Sequence, residues 1–125
     1  MDSIFKNLTE TPMLENVEIT DEGDIHIPTG LVYSNQTSLD FDLIQRNEAT
    51  ILTDNGRTLA YLDEIFELTE PDVIKNIRAA TEHYKVGMKK QRMALAIESE
   101  EAFTEGYLRM LFCANFTDAM KIFYV

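Results

Sequence analysis

Three aspartates on two neighbouring segments are the residues whose types and spacing could do chemistry. Asp40 and Asp42 alternate with apolar residues, and Asp54 ends the next β-branched segment. If the two segments pair as a hairpin, the three carboxylates come close enough to hold Mg²⁺ beside a phosphate group. A metal-dependent phosphodiesterase or nuclease is therefore one hypothesis for this chain.

A structural role explains the same aspartates more simply, and we favour it. Nuclease sites of that class usually add a lysine two residues after an acid, and no predicted strand carries this pair. An antiparallel strand with one solvent-exposed face normally alternates polar and apolar residues, which places Asp40 and Asp42 on the exposed face. Asp54 is expected to cap the turn that follows it.

The turn after Asp54 is the most specific local pattern in the sequence. Asn55 and Gly56 both tolerate positive φ, which favours a tight turn directly after the strand. Arg57 comes next and could pair with the surrounding acids. We predict a stabilising role for this segment unless it faces a ligand.

Other catalytic motifs are missing from the sequence. It contains no G-x-S-x-G elbow, no phosphate-binding glycine loop and no Cys-x-x-Cys pair. His26 and His83 fall in different segments without metal-ligand spacing, and His83 lies on the polar side of a predicted helix. The single cysteine, Cys113, is expected to be a buried core thiol. We predict no catalytic residue, no bound metal and no cofactor.

Length and composition bound the class of protein. The chain has 125 residues, 45% hydrophobic and 26% charged, as expected for one globular domain. No stretch approaches the roughly 18 apolar residues of a membrane span, and the first residues lack the pattern of a signal peptide. One cysteine suits a reducing compartment. We therefore predict a soluble cytoplasmic protein with no membrane partner.

The charge of −11 is unevenly distributed. Residues 1–70 contain 15 acidic and 3 basic side chains, whereas residues 71–125 contain 7 acidic and 8 basic ones. The acidic first part would repel phosphate backbones, which argues against direct nucleic-acid binding. A local basic cluster comprises Lys85, Lys89, Lys90 and Arg92. We expect it to be a solvated hairpin or turn, with an anion-binding patch as the alternative.

The elements that would position these residues predict an α+β fold. An antiparallel β-meander precedes a helix–helix–strand–helix order, and the two parts pack as two layers. The predicted strands of the meander are Val17–Thr20, Ile25–Ile27, Leu39–Leu43 and Ala49–Thr53. Pro28 and Gly30 indicate an irregular edge or loop after the second strand. A short helical or irregular lead, interrupted by Pro12, comes before the meander.

Helical spacing begins after the turn. In the first helix Leu59, Leu62, Ile65 and Phe66 share a face, and Thr58 is the expected N-cap. The buried stripe of the second helix is predicted to comprise Val73, Ile74, Ile77, Ala80, Thr81 and Tyr84. Thr69–Asp72 is a good start for that helix, and Gly87 is its predicted terminator. Met93–Ile97 then forms a returning strand.

The last predicted helix opens at Ser99–Glu101 and extends almost to Val125. It is apolar on nearly every face, so it must be covered on more than one side. One interpretation buries it between the sheet and the other helices. The other gives it a dimer or partner interface, for which the candidates are Phe112, Phe116, Phe123 and Tyr124.

The turn and its flanks also resemble a known family. Leu52-Thr53-Asp54-Asn55-Gly56, followed by Thr58-Leu59 and Leu62, is similar to the LTDDG-x-T-x-x-x-L signature of the DUF1828 family. The resemblance covers roughly residues 15–123 and includes the order of elements. Asn55 stands where the family more usually has a second aspartate, which argues against a metal site here. The resemblance implies a bacterial, phage or mobile-element setting and supplies no reaction.

Two classes of function follow from these observations. The leading hypothesis is a non-enzymatic protein-interaction or regulatory/inhibitor module that binds a protein partner or forms a homo-oligomer. A DNA mimic that occupies a basic cleft is one variant, since the chain is strongly acidic. The alternative is the metal-dependent phosphodiesterase on Asp40, Asp42 and Asp54. A small-ligand sensor is a third possibility, for which no residue pattern identifies the ligand.

Overall fold

A six-stranded antiparallel sheet packs against helices in a computed structural model that describes residues 3–10, 17–33, 36–64 and 71–119. The helices of these ranges are α1 (Ser3–Thr9), α2 (Arg57–Asp63), α3 (Pro71–His83) and α4 (Ala102–Ala119). The strands are β1 (Glu18–Ile19), β2 (Ile25–Val32), β3 (Ser38–Arg46), β4 (Ala49–Thr53), β5 (Gly87–Lys89) and β6 (Arg92–Ala96). The predicted α+β class and the N-terminal meander are confirmed.

The meander runs β1-β2-β3-β4, and the full strand order is β1-β2-β3-β4-β6-β5. The link between β3 and β4 consists of Asn47 and Glu48, whose φ values are 53° and 66°. Positive φ at both turn residues matches the twist of a two-residue hairpin. The predicted hairpin is therefore present, with a tighter turn than the sequence indicated.

The irregularity expected around Pro28 is also present, although the strand continues through it. β2 extends to Val32, and its register against β3 shifts between Pro28 and Val32. β1 pairs with Ile25 and His26. Pro28, which has no N–H to donate, lies opposite Asp40 at the start of this shift.

Alternation on β3 separates the two faces of the sheet. Leu39, Phe41 and Leu43 are fully buried, and each such side chain contributes about 1.5–3 kcal/mol when removed from water. The Phe41 ring meets that of Tyr107 on α4 edge-on at 5.8 Å between centroids. A Cβ on Gly106 would come within 2.8 Å of Ile97 Cδ1. α4 therefore lies directly on this apolar face.

The predicted N-cap at Thr58 is wrong. α2 begins at Arg57, and its N-cap is Gly56 with φ 83°. Thr58 is buried within the first turn, where its hydroxyl lies 2.7 Å from the Tyr33 hydroxyl. The side chain of Asp54 accepts the Thr58 N–H instead. The capping acid thus precedes the helix by several residues.

Two expectations for α3 also need correction. Ile74, a residue of the predicted buried stripe, is 40% exposed, whereas Ile77 is buried. The helix ends at His83 without Gly87, because Lys85 adopts the left-handed conformation with φ 57°. N–H groups of Lys85 and Val86 donate to carbonyls of the last turn at 3.2 and 2.8 Å, as in a Schellman motif. The predicted start at Thr69–Glu70 lies outside the described residues.

Gly87 instead begins β5, a strand absent from the predicted order. β5 pairs with β6 through Gly87–Ala94, Met88–Met93 and Lys89–Arg92. Lys90 and Gln91 form its turn, both with positive φ. The helix–helix–strand–helix prediction is therefore corrected to two helices, a hairpin and a helix. A three-residue strand such as β5, with a single apolar side chain, carries little hydrophobic signal.

The final helix begins close to its predicted start. The Ser99 hydroxyl accepts the Ala102 N–H at 3.2 Å, as an N-cap does. Within the described ranges no helix is both long and apolar enough to cross a membrane. Residues 120–125, over which the helix was predicted to continue, lie outside those ranges.

Cys113 lies on the buried side of α4, as predicted. Burial raises the pKa of its thiol from 9.0 to about 11. At pH 8 only about one thiol in a thousand is then thiolate, and the thiolate is the nucleophile.

We expect negligible reaction of the Cys113 thiol with a disulfide reagent in the folded protein and rapid reaction in denaturant. Because the folded pKa is the higher one, this group's contribution to stability is lost as pH rises from 9.0 toward about 11.

Candidate functional site

Strand register brings a histidine between two of the candidate aspartates. His26 on β2 lies opposite Asp42 on β3, and Pro28 lies opposite Asp40. His26 Nδ1 is 3.0 Å from Asp42 Oδ1, and His26 Nε2 is 2.8 Å from Asp40 Oδ2. The imidazole thus bridges two carboxylates that are two residues apart on one strand.

A cation, Arg57, reaches Asp42 from the other side of the carboxylate. Arg57 donates from its guanidinium to Asp42 Oδ2 at 3.1 Å, and the Asn55 amide donates to the same oxygen at 3.0 Å. β4 pairs with β3 only as far as Thr53 opposite Asp42. Arg57 therefore also donates to the Asp40 carbonyl beyond the end of that ladder, at 3.2 Å. The predicted pairing of Arg57 with an acid is confirmed.

The expectation that both aspartates lie on a solvent-exposed face is wrong for Asp42. This residue is only 5% exposed, because Arg57, Asn55 and His26 cover its carboxylate. Asp40 is half-buried and accepts a hydrogen bond from the Ser38 hydroxyl at 2.5 Å. The polar face of β3 is therefore a closed network around Asp42 and partly open only at Asp40.

The carboxylates of this network are engaged by neighbouring side chains. Both ring nitrogens of His26 lie within hydrogen-bond distance of a carboxylate oxygen, and Arg57 forms an ion pair with Asp42. A metal ion would have to displace these groups from the carboxylate oxygens. The arrangement is typical of a self-satisfied structural network.

Asp54 is fully buried and takes a different part in the fold. Its Oδ1 accepts the Gly56 N–H at 2.8 Å and the Met93 N–H at 3.0 Å. Its Oδ2 accepts the Thr58 N–H at 3.1 Å. The predicted turn cap is confirmed, and the same carboxylate also joins the end of β4 to α2 and β6. Asn55, with φ 56°, and Gly56, with φ 83°, form the predicted turn.

The three aspartates consequently do not present one open cluster. Asp40 and Asp42 share His26, whereas both oxygens of Asp54 are engaged by backbone N–H groups. Across residues 3–10, 17–33, 36–64 and 71–119, no three His, Cys, Asp or Glu side chains are grouped so that they could hold a metal ion.

The outer face of α4 carries large apolar side chains at one-turn intervals. Leu108, Phe112 and Phe116 are 41%, 51% and 47% exposed. Tyr84, which follows α3, touches both phenyl rings, with centroids 6.4 Å from Phe112 and 6.1 Å from Phe116. We call Leu108, Phe112 and Phe116 the α4 stripe. The other interface candidates, Phe123 and Tyr124, lie outside the described residues.

The predicted basic cluster lies around the β5–β6 hairpin. Lys89 and Arg92 face each other across β5 and β6, Lys90 is in their turn, and all three are exposed. Lys85 is the exposed residue that ends α3, and its carbonyl accepts a hydrogen bond from Arg109. The cluster is thus the solvated hairpin that was expected, extended by the end of α3.

His26 is the residue of this site that sequence reasoning missed. Its neighbours Ile25 and Ile27 are buried, so alternation places His26 on the opposite face. Antiparallel pairing of β2 with β3 then puts it beside the two aspartates. The pattern was legible in the sequence, but the registers of the strands were needed to identify the contact.

Comparison with protein-family models, with curated proteins and with solved structures yields no match for this chain. The resemblance of the turn segment to the DUF1828 family therefore stays a prediction.

Proposed function

We propose that this chain is a non-enzymatic protein-interaction module of the regulatory or inhibitor class, and that it binds through the α4 stripe. The observation that supports this proposal is the exposure of Leu108, Phe112 and Phe116 in one line on α4. Single exposed apolar residues are normal on a protein surface, whereas contiguous ones are typical of interaction sites. Tyr84 extends the patch beyond α4.

The polar network on β2 and β3 supports a binding function over catalysis. A general base or metal ligand needs a free oxygen or nitrogen directed at the substrate. The Asp42 oxygens are occupied by His26, Asn55 and Arg57. The metal-dependent phosphodiesterase would also require Asp54, whose oxygens are taken by backbone N–H groups. We therefore do not adopt that alternative.

The net charge of the chain indicates what kind of partner it would favour. The chain carries −11 overall, and all of the excess negative charge lies in residues 1–70. An apolar patch on so acidic a protein favours partners that combine an apolar centre with a basic rim, because long-range attraction speeds their encounter. A nucleic-acid-binding protein is one partner of this kind, which keeps the DNA-mimic variant within the proposal. The DUF1828 resemblance points to a bacterial, phage or mobile-element setting.

We expect Phe112→Asp to abolish partner binding while leaving the fold intact, because Phe112 is half exposed and its replacement adds a charge to the α4 stripe. The measurement is affinity capture from a bacterial lysate with immobilised wild type and variants, together with light scattering after gel filtration. Val32→Asp is the matched control, since Val32 is 47% exposed on β2, away from α4.

A protein retained by wild type and Val32→Asp but lost with Phe112→Asp would support the proposal. Equal retention by all three proteins would remove the α4 stripe from it. A strictly monomeric wild type that retains no protein would contradict the proposal as a whole. Circular dichroism of each variant checks that the comparison is made between folded proteins.

A further inference from the structure

A half-open groove runs between α3 and the β5–β6 hairpin. Its volume is about 500 Å³, in the range of pockets that accept a few side chains or a small ligand. Within the described part of the chain, the lining residues are Leu59, Ile74, Ile77, Arg78, Thr81, Met88 and Gln91. Ile74 on one wall and Met88 on the other remain 40% and 37% exposed. The groove is thus apolar at its centre and open to solvent.

Arg78 gives the groove its charge. It is exposed one turn after Ile74 on α3, and it is the charged residue among the described lining residues. Lys75 and Glu82 flank it on a neighbouring hollow of the same helix. An apolar groove with an exposed guanidinium among its lining residues favours an occupant that has an acidic residue beside apolar ones.

Helix α4 of the same chain carries an exposed acidic residue beside exposed apolar ones. Glu105 is exposed on α4 one turn before Leu108, and Phe112 and Phe116 follow at four-residue steps. These residues share one face of the helix, since positions three and four apart are neighbours. The face therefore reads as an acidic residue followed by three exposed apolar ones. An amphipathic helix in an apolar groove is a common mode of protein recognition.

We propose that the groove receives the α4 stripe of a second copy of this chain. Apolar side chains of the stripe would fill the space between Ile74 and Met88, and Glu105 would lie on the side of Arg78. The proposal rests on the proposed interaction function and names the partner. The two surfaces involved are different, so the contact is heterologous, and a pair of copies keeps one unused groove on one copy and one unused stripe on the other.

A heterologous contact has a consequence that a two-fold dimer lacks. Copies add head to tail, so assemblies grow with concentration or close into a ring. A two-fold contact of α4 with α4 would stop at a dimer and would leave the groove empty.

A complementation experiment separates these arrangements. Phe112→Asp disables the stripe and keeps the groove, whereas Ile74→Asp disables the groove and keeps the stripe. Sedimentation velocity of each variant alone should show self-association weakened by about tenfold or more. An equimolar mixture should form a one-to-one complex that does not grow further, because only one productive contact remains. Differently tagged copies identify the mixed dimer.

Several results would overturn the proposal. Unchanged association of Ile74→Asp, with Phe112→Asp monomeric, would point to an α4–α4 dimer and leave the proposed interaction function standing. A wild type that is monomeric at all concentrations would remove self-docking, and the capture experiment then decides on the function separately. Failure of two folded monomeric variants to complement would also refute it. If Ile74→Asp does not fold, Arg78→Glu serves as the groove variant.

Discussion

Replacing Asp54 with alanine is expected to lower the free energy of unfolding by about 4 kcal/mol, as for other losses of a buried charged partner. The carboxylate is fully buried and accepts N–H groups from Gly56, Thr58 and Met93. Without it these donors stay buried with no acceptor in place. Small domains have about 5–15 kcal/mol in total. Urea denaturation followed by circular dichroism measures the change.

Two further variants are the controls for Asp54→Ala. Asp54→Asn retains one acceptor oxygen, so we expect a loss intermediate between wild type and alanine. Asp40→Ala removes a half-buried carboxylate from the same sheet region and should cost far less than Asp54→Ala, about 1 kcal/mol. If Asp54→Ala and Asp40→Ala destabilise equally, Asp54 does not join the three elements as its contacts indicate.

Features of the fold that depend on a short stretch of sequence could be predicted from the sequence alone. Alternation in Leu39–Leu43 predicted which side of β3 is buried, and Asn55-Gly56 predicted a turn with positive φ at both residues. These features depend on the period of a strand and on the sterics of one or two residues. Nothing distant in the sequence can change them greatly.

Features that depend on a partner far along the chain could not be predicted in the same way. Asp42 is buried because Arg57 and Asn55 fold back over it, and the Asp54 carboxylate meets a donor on β6, 39 residues later. β5 is short and exposed, so its sequence shows no alternation of apolar and polar residues that would predict a strand. Lys85 ends α3 in a conformation for which glycine is the usual choice.

The final helix could be predicted only in part. Its sequence predicted apolar residues on nearly every side, and the structure buries some of them and leaves others exposed. Met110 and Cys113 are fully buried, whereas Phe112 is half exposed. Which faces are covered depends on how many layers pack around α4, and helix period alone does not give that number. The exposed side therefore had to be read from the tertiary contacts.

Arg57→Met is expected to destabilise the protein by about 2–3 kcal/mol, because it leaves the Asp42 carboxylate buried without its guanidinium partner. Asp42→Asn should cost less, since Arg57 is partly exposed and can turn to water. The double variant should then lose less than the sum of the two, with a coupling energy of about 1–2 kcal/mol by a double-mutant cycle.

The exposed pair Arg46–Asp24, joined by two hydrogen bonds of 3.1 Å, is the matched control for that cycle. Arg46 is more than half exposed, and the hydrogen bond and charge of Asp24 raise the pKa of its guanidinium. Solvent screens such a pair, so its coupling should stay below about 1 kcal/mol and fall further in salt. The Arg57–Asp42 coupling should persist in salt because its carboxylate is covered. Equal couplings and equal salt dependence in the two cycles would show that the closed network around Asp42 adds no more stability than an ordinary surface ion pair.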